Sequence, residues 1–332
     1  MDKRSATPWP TKKWREGIYA TSFIASLGSA VYGPIKTWTL SVIKVRRPIL
    51  GLVIAFALAG IILVVVMGDD LSRPATRIVG KPPPDLHATS VRIATSPNEF
   101  VSGWFSRGTR GFGAILLLHG VRSDRTQMLA RGRFLTKAGY SVLLIDLPAH
   151  GESSGARITF GVHEAEGVKA ALEYLRGELP SERIGVIAVS LGAASLVLSK
   201  AAPATRAVVL ESMYPTITEA VQDRLTIRLG PLGRYLAPLL VWQLPLRLHV
   251  SPDQLRPIVE VSTLGAPVLI VSGTSDRHTT WAETERIFQA AQEPKELWPV
   301  EGAMHVDLYA YNPEAYQLKI LTFLRKYLRD GA

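Results

Sequence analysis

The sequence predicts an α/β protein with a mostly parallel, doubly wound sheet, preceded by one membrane-spanning helix. From about residue 87 onward, apolar runs of strand length alternate with helix-like patterns, which is typical of βα units whose strands are covered on both faces. Ahead of them, residues 49–67 form an apolar stretch without a charged side chain. About 20 such residues cross the hydrocarbon core of a bilayer, so this stretch predicts a membrane anchor.

The positive charge of the chain is concentrated at its amino terminus. The 332 residues carry a formal net charge of +10, and residues 1–48 hold nine Lys and Arg against two acidic side chains. The remainder is nearly balanced, so we expect no nucleic-acid partner. The chain has no cysteine, which excludes disulfides, thiolate metal sites and a cysteine nucleophile.

The charges beside the apolar stretch predict its orientation. They differ in sign, with Lys44, Arg46 and Arg47 before it and Asp69 and Asp70 after it. Because positive flanks stay in the cytoplasm, we expect a single-pass protein of the cell membrane, with a cytoplasmic amino terminus and an extracytoplasmic domain. A cleaved signal peptide is disfavoured, since the basic leader is long and no A-x-A pattern follows the apolar run.

These features divide the chain into segments. We expect basic cytoplasmic residues at 1–48, a transmembrane helix at 49–67, a stiff proline-rich linker at 68–86 and a globular domain at 87–332. The weakly apolar residues 17–35 are interpreted as interfacial or loosely ordered rather than as a second span. Residues 215–264 break the βα rhythm, and they predict either a lid that forms a binding pocket or one long irregular crossover helix.

The elements of the domain follow in order. Short alternating patterns at 91–94 and 100–105 predict an antiparallel edge pair. Continuous apolar runs at 112–120 and 140–146 predict buried strands, and further strands are expected at 183–189, 206–212, 266–273 and 295–300. Helical patterns are expected at 127–138, 162–176, 281–291 and 314–328, and from Leu191 onward.

Polar residues, several of them of the types that enzymes use in catalysis, follow five of these strands. They are His119 with Gly120 and Val121, the loop at 146–153, Ser190, Asp276 and His305. Because ligands of such sheets bind at the carboxyl ends of the strands, we expect these residues to meet at one edge.

These motifs resemble the α/β-hydrolase superfamily, in particular membrane-anchored serine hydrolases related to the monoacylglycerol lipase and Bem46-like groups. The resemblance covers roughly residues 87–332. It rests on HG-x at 119–121, D-x-x-x-H-G-x-S at 146–153, A-x-S-x-G at 188–192, G-x-x-D at 273–276 and G-x-x-H at 302–305. The usual elbow, G-x-S-x-G, begins with glycine, and Ala188 replaces that glycine with the smallest alternative side chain.

The resemblance implies a Ser-His-Asp triad in the chain order Ser, Asp, His. Ser190 is expected to be the nucleophile, His305 the general base and Asp276 the carboxylate that orients the imidazole. The backbone N–H groups of Val121 and Leu191 are expected to form the oxyanion hole.

Each assignment has an alternative. Ser190 could be a helix N-cap and Asp276 a turn-forming residue, and Glu211 is a rival acid. His278 is disfavoured as the base because it lies two residues from Asp276. Three further polar residues are interpreted as turn or loop architecture: His119, Asp146 and His150.

We therefore expect a serine hydrolase that cleaves carboxylic esters through an acyl-enzyme, without a metal or organic cofactor. Its location at a membrane favours lipophilic acyl esters. An amidase or peptidase with the same triad is an alternative, as is a non-catalytic binding module that keeps the fold.

Overall fold

In this computed structural model the described residues are 38–201 and 205–329, and side chains are described from residue 48 onward. The weakly apolar stretch at 17–35 lies outside the described residues, as does most of the basic segment. The chain divides into two units between Phe56 and Ala57.

The first described element is a long apolar helix, α1 (Trp38–Ser72). Its residues Pro48–Ser72 are the one candidate membrane span in the described part of the chain, by length and composition, and an 18-residue window within them has a mean hydropathy of 3.2. The large apolar side chains along residues 49–66 are mostly exposed. The helix continues beyond the expected end at residue 67, and the Ser72 hydroxyl donates to the Gly68 carbonyl in its last turn.

The segment after α1 differs from the stiff linker expected at 68–86, because much of it is built into the domain. Strand β1 (Ala75–Thr76) pairs in parallel with β6 (His150–Gly151). The Gly80 carbonyl accepts a hydrogen bond from the Trp104 indole, and Leu86 is fully buried. Prolines interrupt regular structure here, but they do not prevent the chain from packing.

The core is one eight-stranded sheet in the spatial order β10-β9-β8-β7-β4-β5-β3-β2. Its strands are β2 (Thr89–Ser96), β3 (Glu99–Ser106), β4 (Ala114–Leu118), β5 (Ser141–Ile145), β7 (Ile184–Val189), β8 (Ala207–Glu211), β9 (Val268–Gly273) and β10 (Lys295–Val300). Strands β2 and β3 are antiparallel, as expected. The six neighbouring strands β5, β4, β7, β8, β9 and β10 are parallel to one another. The predicted fold class is confirmed.

Helices cover both faces of this sheet. One apolar cluster joins the strands to α3 (Val162–Glu178), α4 (Leu191–Ser199) and α9 (Trp281–Ala290). The other joins them to α2 (Leu129–Lys137), α10 (Leu308–Tyr311) and α11 (Pro313–Leu328). Within β4, Leu116 belongs to the first cluster and Leu117 to the second, because successive side chains of a strand point to opposite faces.

Residues 215–264 form a cap of separate helices between β8 and β9. They are α5 (Ile217–Leu229), α6 (Leu232–Val241), α7 (Gln243–Leu248) and α8 (Pro257–Glu260). The alternative of one long crossover helix is therefore wrong. Gly230 ends α5 with a positive φ of 63°, and Pro231 precedes α6, so the backbone cannot continue as one helix.

Candidate active site

Ser190 lies on a strained turn at the carboxyl end of β7, directly before α4. Its φ of 49° and ψ of −108° are unusual for a residue with a side chain, and such strain costs on the order of 1–3 kcal/mol. Its N–H donates to the Glu211 carbonyl at 2.8 Å. The side chain makes no capping hydrogen bond to α4, so the helix N-cap alternative does not explain this serine.

Small residues on both sides of Ser190 make this turn sterically feasible. A Cβ on Gly192 would lie 2.7 Å from the His119 carbonyl oxygen and 2.8 Å from the Leu118 Cβ. Ala188 is fully buried and pairs with Leu118 in the sheet. A Cβ on Gly120 would lie 3.8 Å from the Ser190 Cβ, so the turn after β4 lies beside the serine.

Asp276 and His305 meet at the same edge of the sheet, after β9 and β10. The His305 Nδ1 lies 2.7 Å from Asp276 Oδ2. The other carboxylate oxygen, Oδ1, accepts from the backbone N–H groups of His278 and Thr279 at 2.8 and 3.0 Å. Burial raises the pKa of Asp276, but the His305 hydrogen bond and these N–H groups outweigh it and hold the pKa below its usual value. The carboxylate is therefore ionised and fixed.

A second imidazole, that of His278, lies beside this pair. Its ring centroid is 5.0 Å from that of His305, and it lines the same cavity as Ser190. Burial, and next the charge of His305, lower the pKa of His278. In the part of the chain that the structure describes, no hydrogen bond joins Ser190 to His305. Catalytic hydrogen bonds often tighten only when substrate is bound.

The cavity beside Ser190 has a volume of about 280 Å³ and is mostly apolar. Val121 and Leu191, the expected oxyanion donors, line it with the serine. Helices α5, α6 and α7 of the cap provide much of its wall, and the last turns of α1 also line it. Sequence reasoning missed the contribution of α1, since no local pattern shows what a helix end will contact.

The rival acid, Glu211, is committed elsewhere. Its carboxylate pairs with Arg131 at 2.7 Å, both side chains being at most 2% exposed, and it accepts a short hydrogen bond from the Tyr316 hydroxyl. Arg131 also pairs with Asp307 at 2.8 Å. This buried network ties β8 to α2 and α11, so Glu211 and Asp276 have different partners.

The other polar residues near the strand ends support loops, as expected. Burial lowers the pKa of His119 to about 3. The neutral ring accepts from the Leu147 N–H at 3.0 Å through Nε2, with Nδ1 2.7 Å from the Gly120 carbonyl. Asp146 accepts from the Arg125 backbone N–H and pairs with its guanidinium. Burial raises the pKa of Asp146 to about 6, although Arg125 opposes this.

One group of side chains has the composition of a metal site. Asp276, His278 and His305 each offer a ligand atom, and these atoms lie within 4.8 Å of one another. The His305 Nδ1 and the Asp276 Oδ2, however, face each other at hydrogen-bond distance. A metal ion on those two atoms would have to displace that hydrogen bond, so a carboxylate–imidazole pair explains the geometry more directly.

The fold and these strand-end residues define the class of protein. The chain belongs to the α/β hydrolase family, whose model matches residues 115–316. Among curated relatives, the uncharacterized protein Rv2307c of Mycobacterium tuberculosis is 30% identical over 247 residues, which cover 73% of this chain and 79% of that one. The uncharacterized protein YqkD of Bacillus subtilis is 23% identical over 214 residues, covering 63% and 70% of the two chains.

Solved structures similar to this chain include esterases. The Pyrococcus furiosus esterase Pf2001 aligns with a TM-score of 0.65 and 25% identity, covering 78% of this chain and 98% of that one. An esterase from Exiguobacterium antarcticum aligns with a TM-score of 0.54 and 12% identity, covering 71% and 100%; at that identity the likeness shows the fold alone.

Proposed function

We propose that this protein is a membrane-anchored serine hydrolase that cleaves carboxylic esters with a triad of Ser190, His305 and Asp276. The observation that carries the proposal is the 2.7 Å contact between Asp276 and His305, at the sheet edge where Ser190 occupies a strained turn. Similarity to an esterase supports an ester substrate. The motifs also favour the monoacylglycerol lipase-like and Bem46-like groups within the family.

The reaction would proceed in two halves. His305 accepts the Ser190 proton at Nε2 while the serine oxygen attacks the ester carbonyl, and Asp276 stabilises the imidazolium through Nδ1–H. The tetrahedral intermediate collapses to an acyl-enzyme, and His305 returns the proton to the departing alcohol. Water then attacks the acyl-enzyme by the same route and releases the carboxylic acid.

The negative oxygen of the tetrahedral intermediate needs donors that are already in place. The backbone N–H groups of Val121 and Leu191 would supply them, because both residues line the cavity with Ser190. A donor of this kind contributes about 3–4 kcal/mol to transition-state stabilisation.

A lipophilic acyl substrate at a membrane is supported by the apolar surfaces of the cap and of α1. The cavity wall is mostly apolar, and α1 has the length and hydropathy of a membrane span. The cap also exposes large apolar side chains, namely Leu232, Tyr235, Leu239, Trp242 and Leu246. Exposed apolar patches of this kind mark interaction sites for membranes or ligands. The charge asymmetry of the sequence supports a domain on the extracytoplasmic side of that membrane.

A fluorophosphonate probe tests the nucleophile. The full-length protein should be labelled, and Ser190→Ala should abolish both labelling and hydrolysis of p-nitrophenyl esters. Ser212→Ala is the matched control, because Ser212 is also buried after a strand, has a positive φ of 46°, and its hydroxyl has no hydrogen-bond partner among the described residues. Labelling that survives in Ser190→Ala would refute the assignment.

Two further measurements separate the alternatives. Hydrolysis of acyl esters faster than of matched aminoacyl anilides supports an esterase, and the reverse supports an amidase. Activity that persists in a chelator agrees with the triad, whereas loss of activity in the chelator and its recovery with added metal would favour a metal on Asp276, His278 and His305.

A further inference from the structure

One wall of the Ser190 cavity is made by the end of α1. Met67, Gly68, Leu71 and Ser72 line the cavity together with the cap helices. Met67 and Leu71 are four residues apart, so they share one face of the helix. The helix that resembles an anchor therefore contributes side chains to the same cavity as the candidate nucleophile.

Polar contacts hold this part of α1 in place. The Gln243 amide donates to the Val64 carbonyl at 3.0 Å, and Arg247 pairs with Asp69 at 2.9 Å. A Cβ on Gly68 would lie 2.6 Å from the Gln243 amide oxygen, so α1 and α7 approach closely. The wall is fixed relative to the cap.

Apolar packing holds the same turns of α1. Val64 and Met67 pack against a buried cluster of the cap formed by Leu225, Ala237 and Leu240. One side of these turns is thus buried in the cap, and Leu71, 39% exposed, remains available to a ligand in the cavity.

We propose that Met67 and Leu71 form part of the acyl-binding site and that their size sets the length of acyl chain that the enzyme accepts. This inference rests on the proposed ester hydrolysis at Ser190. An acyl chain is stabilised by the apolar area that it buries, and α1 supplies such area on one side of the cavity. The end of α1 is then a specificity element as well as an anchor, and removal of α1 would open the acyl site.

The test uses the full-length chain in nanodiscs and compares p-nitrophenyl butyrate with p-nitrophenyl laurate. Met67→Trp and Leu71→Trp narrow the cavity, so the ratio of kcat/KM for laurate to that for butyrate should fall at least about tenfold. Met67→Ala widens the cavity and should move the ratio in the opposite direction. Leu63→Trp is the matched control, since Leu63 lies on α1, is 59% exposed and does not line the cavity.

The outcomes distinguish this inference from the proposed function. Absence of fluorophosphonate labelling and of ester hydrolysis in the unchanged protein would overturn the proposed function. If the protein is labelled and active but the Met67 and Leu71 variants keep the chain-length ratio of the unchanged protein, the acyl site does not include α1. An equal fall in Leu63→Trp would overturn the inference too, because it would reflect bulky residues anywhere on α1.

Discussion

Two substitutions, Asp276→Asn and Glu211→Gln, give the sharpest test of the triad. Each replaces a buried carboxylate with the matching amide, and the two acids lie at the ends of neighbouring strands but have different partners. In Asp276→Asn, the amide oxygen can still accept from the His278 and Thr279 N–H groups. The amide nitrogen, however, faces His305 Nδ1 as a donor. The imidazole would then carry its proton on Nε2, where it cannot accept the Ser190 proton.

The expected effects have different magnitudes. Asp276→Asn should lower kcat/KM about 10³- to 10⁴-fold, as expected for a wrong tautomer of the base, with little change in melting temperature. Glu211→Gln should leave the catalytic machinery in place but leave Arg131, whose side chain is 1% exposed, without its main partner. Loss of one member of a buried ion pair costs about 3–5 kcal/mol.

We expect the loss of stability in Glu211→Gln to lie at the lower end of that range, because Arg131 retains a second acidic partner. Arg131 keeps its 2.8 Å contact with Asp307, so we expect Glu211→Gln to cost about 3 kcal/mol. For a domain of about this size, that corresponds to a fall of roughly 6–12 °C in melting temperature. Differential scanning fluorimetry and p-nitrophenyl ester kinetics measure the two quantities. The reverse pattern, an active Asp276→Asn and a stable but inactive Glu211→Gln, would refute the assignment of the acid.

Three further predictions concern the elbow, the cap and the topology. Gly192→Ala should destabilise the domain by about 1–3 kcal/mol and abolish activity, since its Cβ would overlap Leu118 and His119 at the end of β4; Gly177→Ala, whose Cβ would meet nothing within 4 Å, should be neutral or stabilising. Burial, and next the charge of Glu283, raise the pKa of Asp223 from 3.8 to about 7. The folded state therefore holds this proton more tightly than the unfolded chain does, and the free energy of unfolding should fall as the pH rises through this interval. Asp223→Asn should flatten that dependence in urea titrations, and an unchanged slope would show that Asp223 titrates normally. In sealed inside-out vesicles, added protease should leave the domain intact; its digestion there, before detergent is added, would place it on the cytoplasmic side.

Much of the site could be anticipated because its residues are marked locally. Most of the parallel strands are buried on both faces and read as continuous apolar runs, so the polar residue at the end of each is visible in the sequence. Ser190 and Asp276 follow such runs, His305 follows the partly buried β10, and the fold brings those ends to one edge. The choice between Asp276 and Glu211 could not be made in this way. Both acids lie at the carboxyl end of a buried strand, and only the side chains packed around each one distinguish them.

The sequence by itself determined the order of strands and helices, the apolar helix near the amino terminus and the candidate residues at the strand ends, because each depends on neighbours a few positions away. The tertiary structure decided how the segment after α1 packs, how the cap divides into helices, and that Met67 and Leu71 face the Ser190 cavity. Those contacts join residues far apart in the chain: Ala75 pairs with His150, and Met67 packs against the cluster that includes Leu225. They depend on how whole elements pack, which no local periodicity records.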